Sequence, residues 1–200
     1  MKILLLSRKQ DYLKLYNNLS LFGEVEVQFG KIEDNLKSYE LVISYCYGPI
    51  LKDYEIQSLK GPILNLHPSF LPYGRGIFPI LWGCALNHPL GATIHLIENA
   101  EIDNGSILLQ ERINYDSNLT LSQIHCILTN LSQQLLFKLL ALGFPKRDTL
   151  KRIVPEKNIA KQTYKNKSQG LKFLELMPLG WETRIYQVRE IYEENKKLLF

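Results

Sequence analysis

The chain has 200 residues, 46% of them hydrophobic and 22% charged, with a formal net charge of +4. That length suits one domain, or one domain with a small appendage, around an ordinary apolar core. No apolar run approaches the ~18 residues that a membrane crossing needs, and no nucleic-acid module signature is present, so neither a membrane protein nor a dedicated nucleic-acid binder is expected.

Met1-Lys2-Ile3-Leu4-Leu5-Leu6 is too short an apolar run for a secretory leader, and Ser7-Arg8-Lys9-Gln10-Asp11 follows where a cleavage site should lie. Residues 2–6 therefore read as a first buried parallel strand. Residues 9–21 carry apolar side chains at helical spacing. Glu24-Val25-Glu26-Val27-Gln28-Phe29 alternates strictly, as an edge strand does. Short strands follow over 40–45 and 62–66. A helix opened by Pro79 covers 78–86. Two more strands span 92–97 and 106–113. A long helix over 119–142 starts at Asn118 or Thr120 and stops at Gly143-Phe144-Pro145. Strands alternating with helices predict an α/β fold with a mostly parallel twisted sheet and helices on both faces. The tail from Lys146 breaks into short pieces before a helical run from about Thr183 to Leu198, too small for a core of its own. The expected organisation is a catalytic domain over 1–145 with an appendage, 146–200, packed on it.

Charge divides along the same line. Residues 1–145 carry 11 basic and 13 acidic side chains, whereas residues 146–200 carry 13 and 7. A basic tail suits a phosphate-bearing partner as well as it suits plain solvation. Cys46, Cys84 and Cys126 are an odd count without a C-x-x-C pair, which reads as reduced thiols in a cytoplasmic protein. No His, Cys and carboxylate trio has zinc-ligand spacing, so no metal is expected.

The chemistry concentrates in Asn65-Leu66-His67-Pro68-Ser69-Phe70-Leu71-Pro72 and Ile102-Asp103-Asn104-Gly105. Asn65 and His67 are two apart on a strand and share a face. Pro68 ends the regular structure, so both side chains project at the carboxyl end of that strand, where open α/β sheets bind ligands. An amide and an imidazole together can hold an oxyanion, and a nearby carboxylate can orient the imidazole or take up a proton. That set suits acyl transfer without a covalent enzyme intermediate.

These segments, with Arg75-Gly76 and Gly91-Ala92-Thr93-Ile94-His95, resemble the folate-dependent formyltransferases. The resemblance runs from Met1 to about Ile113 and is dense over 61–113. It implies a Rossmann-like formyltransferase fold, 10-formyltetrahydrofolate as formyl donor, an amine as acceptor, and Asn65, His67 and Asp103 as the catalytic set. It further implies a pteridine pocket lined by Tyr47, Gly48, Pro49, Ile50 and Leu51 and by Ile97, Glu98, Asn99, Ala100 and Ile102. It assigns Ser69, Tyr73, Arg75, Gly76, Trp82, His95 and Tyr164 to the acceptor side.

The first strand-to-helix turn, Leu6-Ser7-Arg8-Lys9-Gln10, has no glycine, which counts against the phosphate cradle of the branch that formylates glycinamide ribotide. About 55 residues past Pro145 leave little room for the large C-terminal domain of the tRNA-formylating branch. The expectation is the branch that formylates amino groups of nucleotide-linked deoxy-sugars, although Ile80-Leu81-Trp82 stands where that branch commonly has Asn-x-Phe-Trp. Alternatives are a 10-formyltetrahydrofolate hydrolase, a glycinamide-ribotide-type transferase and a catalytically idle binding module. The expected partner is a small-molecule nucleotide sugar, with self-association as a homodimer left open.

Overall fold

The computed structural model describes residues 1–32, 38–146, 152–153 and 165–199. Six strands form one sheet: β1 (Lys2–Ser7), β2 (Glu24–Gln28), β3 (Leu41–Tyr45), β4 (Ile63–His67), β5 (Gly91–Leu96) and β6 (Ile107–Arg112), in the order β2-β1-β3-β4-β5-β6. β1 pairs in parallel with β2 and β3, and β3 with β4. β1 and β3 are buried almost throughout, which explains why their sequences are continuous apolar runs. β2 lies at the edge, and its alternating glutamates keep that edge charged.

β5 departs from the parallel pattern. The Ile97 amide donates to the Ile63 carbonyl at 2.8 Å, so the end of β5 lies beside the start of β4 and the two strands run in opposite directions. β6 returns antiparallel to β5, with the Leu96 amide donating to Ser106 and the Ile113 amide to Leu90, each at 2.9 Å.

The described residues gather into two compact units. One unit draws on Met1–His67, Ile94–Leu109 and Gln133–Val154. Its core includes Leu4, Leu6, Val42, Leu51 and Ile63. It contains α1 (Leu13–Leu19) and α2 (Asp53–Ser58). The other unit draws on Pro68–Thr93, Gln110–Ser132 and Pro155–Phe200. It contains α3 (Pro79–Ala85), the first half of α4 (Leu121–Ala141), α5 (Lys167–Glu175) and α6 (Ile185–Leu199). There Trp82, Leu121, Ile124, Leu128, Phe173, Ile185 and Val188 fill one apolar core.

Local chemistry sets the helix starts. Pro79 occupies the first turn of α3, where its missing N–H costs nothing. Thr120 and Gln123 cap α4 reciprocally: the Gln123 amide donates to Thr120 Oγ1 at 3.2 Å and the Thr120 amide to Gln123 Oε1 at 2.9 Å. Asn166 and Gln169 repeat that device at α5, at 3.0 and 3.2 Å. Neither α2 nor α5 is among the elements read from the sequence. Among the described residues, no helix is long and apolar enough to cross a membrane.

Candidate active site

β4 places Asn65 and His67 on one face at its carboxyl end, as their spacing requires. The antiparallel register that sets Ile97 beside Ile63 also sets His95 opposite Asn65. Asp103 comes from the loop between β5 and β6. Its backbone adopts a left-handed conformation, φ 48°, which aspartate tolerates better than most residues.

That loop is cinched at its base. A Cβ on Gly105 would fall 1.8 Å from the Leu96 carbonyl oxygen, so only glycine lets the two backbones approach this closely. Glu98 Oε2 accepts hydrogen bonds from the Ser106 amide at 2.7 Å and its hydroxyl at 2.9 Å. Asn99 Oδ1 accepts from the Glu101 amide at 2.9 Å, and the Ala100 amide donates to Asp53 Oδ1 at 2.8 Å, fastening the loop tip to the start of α2.

One carboxylate oxygen gathers the cluster. Asp103 Oδ1 accepts from Asn65 Nδ2 at 3.2 Å and lies 3.5 Å from His95 Nε2 and 3.7 Å from His67 Nδ1. Asn65 Nδ2 also lies 3.1 Å from His95 Nε2. His67 and His95 are 5% and 1% exposed, and the Asp103 side chain 10%. Such burial strengthens every electrostatic contact made there, because little water remains to screen it. His67 Nδ1 faces the same carboxylate, which can orient the imidazole.

Of the two stretches expected to line a pteridine, Tyr47, Leu51 and Ile97 join one apolar cluster with Leu4, Val42 and Ile63. An added Cβ at Gly48 would meet nothing within 4 Å, so a flat ligand can approach the main chain there. Ile50, at 61% exposed, is surface. Cys46 borders this stretch. Burial pushes its thiol up from the ordinary value, which leaves it protonated and unsuited to be a nucleophile.

The described residues expected to meet the acceptor fall in the second unit, except His95, which belongs to the first. His95 sits in the cluster around Asp103, in direct contact with Asn65. Ser69 Oγ donates to the Tyr73 carbonyl at 2.8 Å, and Thr93 Oγ1 donates to the Ser69 carbonyl at 2.7 Å, so the turn after β4 is internally braced. Arg75 is buried, and Gly76 pairs with Lys165. Trp82 was expected to face ligand, yet it is 0% exposed and packs its ring 5.3 Å from Phe173. Lys165 Nζ lies 5.6 Å from its ring centroid. Large aromatic rings bury more apolar area than any other side chain, and α3, α5 and α6 surround this one. Tyr164 lies outside the described residues.

A profile of the formyl transferase family matches residues 10–140. The chain belongs to that family. Methionyl-tRNA formyltransferase of Clostridioides difficile (strain 630) is 25% identical over 132 residues, 65% of this chain and 43% of that protein. The chain thus spans less than half the length of the curated relatives it matches. Among solved structures, the formyltransferase PseJ from Anoxybacillus kamchatkensis is 28% identical with a TM-score of 0.81, covering 94% of this chain and 97% of that one. It was solved with UDP-4,6-dideoxy-4-formamido-L-AltNAc and tetrahydrofolate. A 4-N formyltransferase from Francisella tularensis shares the fold at 20% identity, with a TM-score of 0.74 and coverage of 95% and 85%.

Proposed function

We propose that this formyl transferase moves a formyl group from 10-formyltetrahydrofolate to the free amine of a nucleotide-linked amino-deoxy-sugar. The observation that carries the choice of acceptor is the likeness to PseJ, which runs nearly end to end in both chains and was solved with a formamido sugar nucleotide. The likeness to the tRNA-formylating relatives covers 43% or less of their length.

Main chain around Gly48 and Pro49 and the loop Ile97–Ile102 would hold the pteridine, with Tyr47, Leu51 and Ile97 supplying apolar walls. The donor supplies a formamide carbonyl on a nitrogen that can leave. Asn65 and protonated His67 stabilise the negative charge that develops on the formyl oxygen as the amine attacks. Asp103 accepts the proton that the amine loses when the new C–N bond forms. The same proton then goes to the folate nitrogen as the old C–N bond breaks. Ser69, Tyr73, Arg75 and Gly76 would line the acceptor side, and the basic tail suits its diphosphate.

The test is a panel of nucleotide amino-deoxy-sugars incubated with the chain and 10-formyltetrahydrofolate, with the sugar product weighed by mass spectrometry and folate release followed by absorbance. Formyl addition to at least one sugar, with folate release dependent on that sugar, is expected. Efficient formylation of glycinamide ribotide or charged initiator tRNA with no sugar modified would overturn the acceptor, and folate release without any acceptor would indicate a hydrolase.

A further inference from the structure

The cluster around Asp103 contains one member without a task in the reaction described above. His95 lies on β5, almost fully buried; its Nδ1 faces the Leu96 carbonyl, and its Nε2 faces the Asn65 amide at 3.1 Å with Asp103 Oδ1 farther off at 3.5 Å. Nδ1 is 2.9 Å from the Leu96 carbonyl oxygen, which can only accept, so Nδ1 carries a hydrogen. In the neutral ring Nε2 is then a lone pair, and Asn65 Nδ2 donates to it across 3.1 Å. The same amide nitrogen donates its other hydrogen to Asp103 Oδ1 at 3.2 Å. Two acceptors thus claim both hydrogens of one NH₂ group. Turned over, the carboxamide would set its oxygen against a carboxylate and a lone pair, which fixes one orientation of the Asn65 side chain.

We infer that His95 is a positioning residue that keeps the Asn65 amide from turning over during the reaction. The inference rests on the formyl-transfer reading. When Asp103 takes up the amine proton it loses its charge: one oxygen becomes a donor and the other a weaker acceptor. The hold of Asp103 alone on Asn65 would then slacken, and the NH₂ group would no longer be kept toward the formyl oxygen. His95 is an acceptor whose character does not change in that step. It retains one Asn65 hydrogen, and the other stays directed to the side where negative charge develops. Leu96 keeps His95 in the tautomer that can do this.

His95→Phe removes the acceptor and keeps a ring, whereas His95→Gln can restore an acceptor oxygen near the position of Nε2. In the sugar assay His95→Phe is expected to lower kcat roughly 10–100-fold with KM for either substrate little changed, because the lost donor acts on developing charge. His95→Gln should recover most of that loss. In an Asn65→Ala background His95→Phe should cost nothing further, since residues acting through one another are not additive. Additive losses, or a glutamine variant no better than phenylalanine, overturn the inference. A second measurement needs no substrate and holds even where the variants unfold. In ¹⁵N-histidine-labelled wild-type chain, the His95 ring nitrogens should report the neutral Nδ1–H tautomer, and a hydrogen on Nε2 with a bare Nδ1 overturns the inference. That tautomer in a chain that formylates no amino sugar supports the hold on Asn65 and overturns only the reaction assigned above.

Discussion

Two regions, one around Asp103 that is largely hidden from solvent and one around Trp82 that is wholly hidden, are held together by opposite means. Asn65, His67, His95 and Asp103 are polar and fixed by direction: the Asn65 amide faces His95 Nε2 at 3.1 Å and Asp103 Oδ1 at 3.2 Å. Trp82, Phe173, Leu121 and Val188 are apolar and fixed by volume. In the first region a change of one atom type is expected to remove the proposed chemistry while removing little packing. In the second a change of volume destroys the fold and touches no chemistry. Burial alone does not tell a site from a core; the character of the contacts does.

The sharpest way to break this comparison is to remove charge from the polar cluster. Asp103→Asn keeps the shape and tolerates φ 48°, and His67→Ala removes the imidazole. Each should lower kcat by about 10³–10⁴-fold, the upper range for positioned acid–base groups. Thermal unfolding should move by only a few degrees, and near-wild-type turnover in either variant would sink the catalytic set. Trp82→Ala should show the reverse pattern, with a stability loss of about 3–5 kcal/mol for a truncated core aromatic. Denaturant titration measures it, and a loss below about 1 kcal/mol would mean that the ring does not fill the core as described. Asn65→Ala, which deletes the proposed oxyanion donor, should cost about 10²–10³ in kcat, again with the melting curve nearly in place. The smallest change sharpens the second region. Thr120→Ala removes the cap of α4 and should cost about 1 kcal/mol, visible as a small shift in Tm with unchanged turnover.

Much of the fold was legible because single residues settle local questions. Thr120 and Gln123 mark the start of α4, Pro79 opens α3, and the unbroken apolar runs of β1 and β3 match strands buried on both faces. α5 was not legible because Gly170 stands in its middle and reads as a break. The fold needs that glycine, since a Cβ there would fall 2.2 Å from the Phe78 ring. Its Asn166–Gln169 cap was a signal available in the sequence. α2 is six residues long with no buried face, which leaves no periodicity to detect. In the site, the i, i+2 spacing put Asn65 and His67 on one face, and Asp103 was reached through motif resemblance. The contact of His95 with Asn65 was beyond local reasoning, because it depends on β5 running antiparallel to β4. That Trp82 turns inward was beyond local reasoning for a similar reason: an aromatic after a glycine-bearing loop looks the same in sequence whether it turns outward or inward.

The loop that carries Asp103 has a bearing on how this enzyme can change over generations. Its base is closed by Gly105 against Leu96 and by Glu98 against Ser106, while its tip is tied through the Ala100 main chain. A main-chain tie is indifferent to the side chain it carries. Substitutions at Ala100 can therefore reshape the surface beside the proposed folate pocket and leave the carboxylate where it is. Insertions or deletions within 97–106 would shift Asp103 at once. The loop is free to vary in letters at its tip and bound in length and at its base.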